Sequence, residues 1–155
     1  MPKTDDQILL TADGLETLKK ELAGLKTERQ PAVIERIKRA KEYGDLSENA
    51  EYDDAKNEQG FVAGRIAEIE EILKKAKVVT KNGDGAIQLG SQVKVHIDGE
   101  EEIYTIVGAA EADPLQKKIS HESPLGKALL GKKIGDRVEV KAPAGTILYT
   151  IRSVS

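Results

Sequence analysis

The sequence predicts an α+β chain whose helices are gathered in the first half and whose strands are gathered in the second. Up to about residue 80 the apolar residues recur at steps of three and four, and after the turn-rich stretch Lys81-Asn82-Gly83-Asp84-Gly85 they recur at steps of two. Within the helical half, Gly44 opens a turn flanked on both sides by the same three-four pattern. These observations divide the chain at residues 1–80 and 81–155, and they make the first part a helix-turn-helix arm.

Thr11 is a candidate N-cap for a helix that places Leu15, Leu18, Leu22 and Leu25 on one stripe, the spacing of a coiled-coil seam. The stripe resumes at Val33, Ile37 and Ala40 after steps of four through Arg29, a slip that locally alters supercoiling. Pro31 lies inside this pattern, so a bend or break is expected near Thr27–Pro31. The returning helix runs without a lapse through Tyr52, Ala55, Gln59, Val62, Ile66, Ile69, Leu73 and Ala76. Gly60 and Gly64 each cost roughly 1 kcal/mol in a helix interior, and close approach of the two helices is the expected reason for them. Two segments of about 30 residues joined by a short turn fold back as an antiparallel coiled-coil hairpin, on the order of 45 Å long.

In the second half, Val93, Val95 and Ile97 alternate with polar residues, as do Val138 and Val140; Ile103–Val107 and Gly145–Val154 supply further strands, with Asp98-Gly99 as a hairpin turn. Ser123-Pro124 is an N-cap and first-turn pair for a short helix ending at Gly131. The expected result is a small antiparallel β domain with one short helix.

Composition excludes several classes of function. The chain is 39% hydrophobic and 33% charged, which fits neither a disordered chain nor a membrane protein. The polar start Met1-Pro2-Lys3-Thr4-Asp5-Asp6 is unlike a secretory signal, and a cytoplasmic location is expected. With no cysteine there are no disulfides, thiolate metal sites or cysteine nucleophile. The net charge of −3, one Phe, four Tyr and no Trp provide neither the field nor the stacking surface for autonomous nucleic-acid binding. The two histidines, His96 and His121, have no catalytic companion and are given no role.

The chemistry is concentrated at the turn. From Glu42 to Asp54 there are six carboxylates and no cation, and the tip spans 43–54. Capping accounts for part of this, since Asp45 and Glu48 match a capping box. It does not account for Glu48, Glu51 and Asp54 following one another at steps of three, where like charges repel on a helix surface. Such a cluster invites a cation, and hard carboxylate oxygens favour Mg²⁺, Mn²⁺ or Ca²⁺. The EF-hand spacing is missing, and an exposed tip alone holds Mg²⁺ weakly, so the tip reads as half of a metal site whose other half lies on a partner. Behind it stand Arg36, Lys38, Arg39, Lys41 and Lys56, either a solvated face of exposed ion pairs or a collar for phosphate or an acidic partner surface.

The stretches Thr11–Leu15, Arg29-Gln30-Pro31, Gly44–Tyr52, Gln59–Ile66 and Ser123–Lys132 resemble the Gre family of bacterial transcript cleavage factors, over nearly the whole chain. The resemblance implies an FKBP-like fold for residues 81–155, although with only Tyr104 and Tyr149 to line a pocket no prolyl isomerase activity is expected. It further implies an accessory factor, not itself an enzyme, whose partner is bacterial RNA polymerase. The β domain would dock at the secondary channel through Ser123, Pro124, Leu125 and Gly126, and the hairpin would reach the active centre. There Asp45 and Glu48 would help to hold a second Mg²⁺ and a water, so that the polymerase cleaves backtracked nascent RNA. Lys41 and Lys56 would contact that RNA, and the modest basic collar points to the less basic branch of the family. A Gre-like channel binder that inhibits without promoting cleavage is the alternative.

Overall fold

In the computed structural model, which describes residues 7–45, 48–81 and 83–155, the first apolar stripe becomes helix α1 (Ala12–Gly24). Thr11 starts it: the Gly14 amide donates to Thr11 Oγ1 at 3.0 Å, satisfying one of the amides that a helix start leaves open. A π turn over Leu25–Arg29 follows, and then α2 (Gln30–Lys41). The backbone stays in the right-handed helical region at both junctions, with φ −62° at Gly24 and −61° at Gln30, and the Gln30 amide bonds the Leu25 carbonyl five residues back. The interruption expected near Thr27–Pro31 is therefore a π turn and not a break. Proline has no amide for the carbonyl four residues behind it and its ring crowds that carbonyl; widening the helix just ahead of it relieves both. The same turn absorbs the slip in the apolar pattern, because it holds the one residue by which the step from Leu25 to Val33 exceeds a heptad, and both side chains are buried.

The returning helix is α3 (Ala50–Lys75), about 39 Å long at the standard helical rise. Leu18, Leu25, Val33, Ile37 and Ala40 on the outgoing limb are buried with Ala55, Val62, Ile66 and Ile69 on the returning one. Arg65 forks onto Glu21 at 2.7 and 2.9 Å, Lys26 pairs with Glu70 at 2.6 Å, and Arg36 reaches both Glu51 and Glu58. Early residues pair with late ones throughout, as an antiparallel hairpin requires. Gly60 and Gly64 depart from expectation. Both are exposed, and a Cβ on either would meet nothing within 4 Å. They fall between the seam positions Gln59, Val62 and Ile66 and face outward; the small residues buried in the seam are Ala40 and Ala55, each 0% exposed.

The chain divides into two compact units, Glu16–Lys74 and a second one that takes the stretch up to Leu15 together with Lys75–Ser155. Strand β1 (Ile8–Leu10) pairs in parallel with β2 (Ala76–Val78) within the second of these units, and Leu10 is fully buried. Three-residue strands carry too little periodicity to be read from sequence. In the same unit the Glu111 carboxylate accepts from the Thr11 amide (2.9 Å), the Thr11 hydroxyl (2.5 Å) and the Gly108 amide (3.3 Å).

The second unit is built on a curled five-stranded sheet in the order β5-β4-β3-β7-β6, formed by Lys118–Ser120, Glu100–Val107, Gln92–Ile97, Gly145–Val154 and Arg137–Ala142. Pairing is antiparallel from β4 to β6, and β5 is added parallel to β4 at the edge. Asp98 (φ 49°) and Gly99 (φ 86°) make the tight β3–β4 turn, a backbone that this residue pair tolerates. Val93, Val95, Ile106, Tyr149 and Ile151 face inward and bury Leu129 of the short helix α4 (Pro124–Leu129). Helices gathered before a β domain give the α+β class that the periodicity predicts.

Candidate functional site

The tip begins where α2 runs out of amides. Its last turn tightens through bonds from Glu42 to the Arg39 carbonyl (3.1 Å), Tyr43 to Ala40 (3.2 Å) and Gly44 to Lys41 (3.3 Å). Gly44 then turns the chain at φ +99°, in the left-handed region that favours glycine. Asp45 follows, exposed; Leu46 and Ser47 of the acidic motif lie outside the described residues, as do Asn82 of the linker and residues 1–6. Glu48 is exposed and Asn49 half-buried immediately before α3.

The cap of α3 is not the Asp45/Glu48 pair. The Tyr52 amide, third in the helix, donates to Asn49 Oδ1 at 3.1 Å, and the Asp53 amide donates to the Asn49 carbonyl at 3.1 Å. Asn49 was missed in the sequence, although an Asn directly before a helical run is a known start signal; the Asp-x-x-Glu spacing four residues earlier drew the boundary too soon. Asp45 and Glu48 thus precede the helix as exposed carboxylates, while the acidic residues beyond them are divided. Glu51 is tied to Arg36 at 2.8 Å, with the exposed Asp53 and Asp54 beside it on the first turns of α3. That pairing raises the Arg36 guanidinium still further above its ordinary value.

The basic collar is divided in the same way. Arg36 is a cross-limb clamp onto Glu51 and Glu58, and Arg39 lies 3.4 Å from Glu35 on its own helix. Lys41 is exposed, and Lys56, also exposed, donates to Gln59 at 3.2 Å. Among the described residues, no three acidic or histidine side chains converge on a point that could hold a metal ion.

In the β-rich unit, Ser123 caps α4 by accepting from the Gly126 amide (3.0 Å) and donates to the Ser120 carbonyl (2.7 Å). Leu125 packs on the core, and Gly126 is buried where a Cβ would lie 2.0 Å from the Ser120 oxygen. Of Ser123, Pro124, Leu125 and Gly126, only Pro124 is exposed. His121 is partly buried with Nδ1 3.4 Å from the Val107 carbonyl oxygen, and His96 sits on β3.

Comparison with known proteins decides the family. Residues 8–78 match the model of the N-terminal domain of transcription elongation factors, and residues 81–155 match that of the GreA/GreB C-terminal domain. The chain belongs to the GreA/GreB family of transcription elongation factors. Within it the likeness runs to GreA: Transcription elongation factor GreA of Thermoanaerobacter pseudethanolicus is 52% identical over 151 residues, covering 95% of this chain and 96% of that protein. GreA of Acetivibrio thermocellus is 50% identical over 155 residues, covering 97% and 98%. Among solved structures, GreA factor homolog 1 (Gfh1) of Thermus thermophilus is 30% identical over 96% of this chain and 99% of its own, with a TM-score of 0.45. As a family member this chain is a transcription elongation factor, and no helix among its described residues is long and apolar enough to cross a membrane.

Proposed function

We propose that this elongation factor binds bacterial RNA polymerase through its secondary channel and stimulates the polymerase's own cleavage of RNA in backtracked, arrested complexes. The observation that carries this reading is the tip: Asp45 and Glu48 are exposed ahead of α3, whose N-terminal cap is supplied by Asn49. Membership of the GreA/GreB family supports the partner.

The chain's residues divide the work. The hairpin, clamped by Arg65 on Glu21 and Arg36 on Glu51 and Glu58, is a stiff arm that carries the tip into a narrow channel. Two hard carboxylates, with no group of three acidic or histidine side chains converging among the described residues, fit a half-site completed by the polymerase. Asp45 is the principal ligand there and Glu48 the second ligand or the group that orients the attacking water. Mg²⁺ shared with the polymerase supplies charge for the attacking and leaving oxygens of phosphodiester hydrolysis. Lys41 and Lys56, exposed behind the tip, neutralise the phosphates of the extruded RNA. Exposed Pro124 and its neighbours Ser123, Leu125 and Gly126 form the docking edge of the β-rich unit. The factor is accessory: the hydrolytic centre is the polymerase's, and the work is done in the cytoplasm.

The test is RNA cleavage in a purified, artificially backtracked polymerase complex with Mg²⁺, with wild type, Asp45→Ala and Glu48→Ala. Acceleration by wild type, lost in variants that still bind polymerase, is the expected result. Variants that cleave as fast as wild type, or a wild type that slows cleavage, overturn the assignment, the latter in favour of an inhibitory channel binder.

A further inference from the structure

We propose that Asn49 is a positioning residue of the tip, whose carboxamide ties the end of α2 to the start of α3 and so restricts where Asp45 and Glu48 stand. The inference rests on the reading of those two carboxylates given above. Asn49 Nδ2 donates to the Ala40 carbonyl at 2.8 Å while Oδ1 accepts from the Tyr52 amide at 3.1 Å. Only one orientation of the amide satisfies both partners, since a carbonyl must face the NH₂ and an N–H must face the oxygen.

The two bonds do different work. The second is ordinary helix capping. The first spans nine residues and brings a second donor to the Ala40 carbonyl in the last turn of α2, which also accepts from the Tyr43 amide at 3.2 Å. Ala40 is 0% exposed, as is Ala55 on the facing limb, so the anchor is set in the packed end of the seam. Asp45 and Glu48 lie within the nine-residue span from the anchor to the cap, just after the turn at Gly44 (φ 99°). Pinning both ends therefore restricts where the intervening carboxylates can stand, and pre-set ligands need no ordering when the partner's metal is engaged.

Neither of the usual capping alternatives, aspartate or serine, does both jobs at this place. Aspartate accepts from Tyr52 but has no proton for the Ala40 carbonyl at neutral pH, and it sets a charge against that oxygen. Serine caps but is too short to reach back. Simple capping therefore predicts that Asn49→Asp is harmless, because Asp caps as well as Asn and its charge suits a helix start. The bridge predicts that it is not.

The experiment compares wild type, Asn49→Asp and Asn49→Ser in the backtracked-complex assay, separating the cleavage rate at saturating factor from the factor concentration that gives half the effect. Both variants are expected to melt with wild type and to keep the half-saturating concentration, yet to cleave at least roughly 10-fold slower at saturation. Asn49→Asp within about twofold of wild type, with wild type active, overturns the inference and leaves the Asp45/Glu48 reading standing. An inactive wild type sinks that parent reading instead. The side-chain amide protons of Asn49 in the free wild-type protein give an independent readout by NMR. Slow exchange relative to Asn57, which is exposed on α3, is expected, and exchange as fast as that solvated amide refutes the bridge even if the variants misfold.

Discussion

Replacing Gly60 and Gly64 by alanine should stabilise the arm. Both glycines lie inside α3, both are exposed, and a Cβ at either position meets no atom within 4 Å, so no contact is lost and none is strained. The gain comes from the unfolded chain, which loses backbone freedom when a glycine becomes alanine; it is about 1 kcal/mol per site in a helix interior. The two sites are one helical turn apart, and neither side chain would touch a third group, so their effects should add to about 2 kcal/mol. For a unit of this size that is a rise in melting temperature on the order of 10 °C. Thermal melting followed by far-UV circular dichroism, which reports mainly the helices, measures it for each single variant and for the pair. A fall in stability in either single variant would refute the outward placement of the glycines and restore the close approach of helices that their presence in the sequence suggests.

Two further outcomes follow from contacts in the separate units. Arg65 holds the Glu21 carboxyl below its ordinary value of 4.5, through its hydrogen bond first, with burial working against this and its charge adding to it. A carboxyl lowered in the folded state contributes stability that is present above the ordinary value and lost as pH falls through the lowered one. Glu21→Gln should therefore cost roughly 0.5–1 kcal/mol at neutral pH, a modest figure for a half-exposed pair, and urea titrations should find the gap closing in acid; a gap that does not change with pH would refute the pairing. In the β-rich unit, Gly126→Ala forces a Cβ to within 2.0 Å of the Ser120 backbone oxygen. Backbone cannot swing aside as a side chain does, so a loss of about 3 kcal/mol is expected; an unchanged melting temperature would refute the close packing of α4 on β5.

Much of this molecule was legible as periodicity. Leu18, Leu25, Val33 and Ile37 on the outgoing limb and Val62, Ile66 and Ile69 on the returning one announced a hairpin seam, and they are its buried residues. Val93 and Val95 announced a sheet, Asp98-Gly99 its turn and Ser123-Pro124 its helix start, because each of these signals is local and repeats or punctuates over a few residues. The acidic tip was legible for the same reason, as six like charges in one short stretch.

The sequence by itself determined the class, the order of the elements and the place of the unusual charge. Only the tertiary structure decided that the slip at Arg29 and the proline at 31 share one π turn, that Gly60 and Gly64 look outward, and that β1 pairs with β2 across more than sixty intervening residues. It also decided that Arg36 spends its charge on Glu51 and Glu58, and that Asn49, not Asp45, caps α3. Each of these turns on which group reaches which across the fold. Such choices are settled by the geometry of distant partners, which local periodicity does not contain.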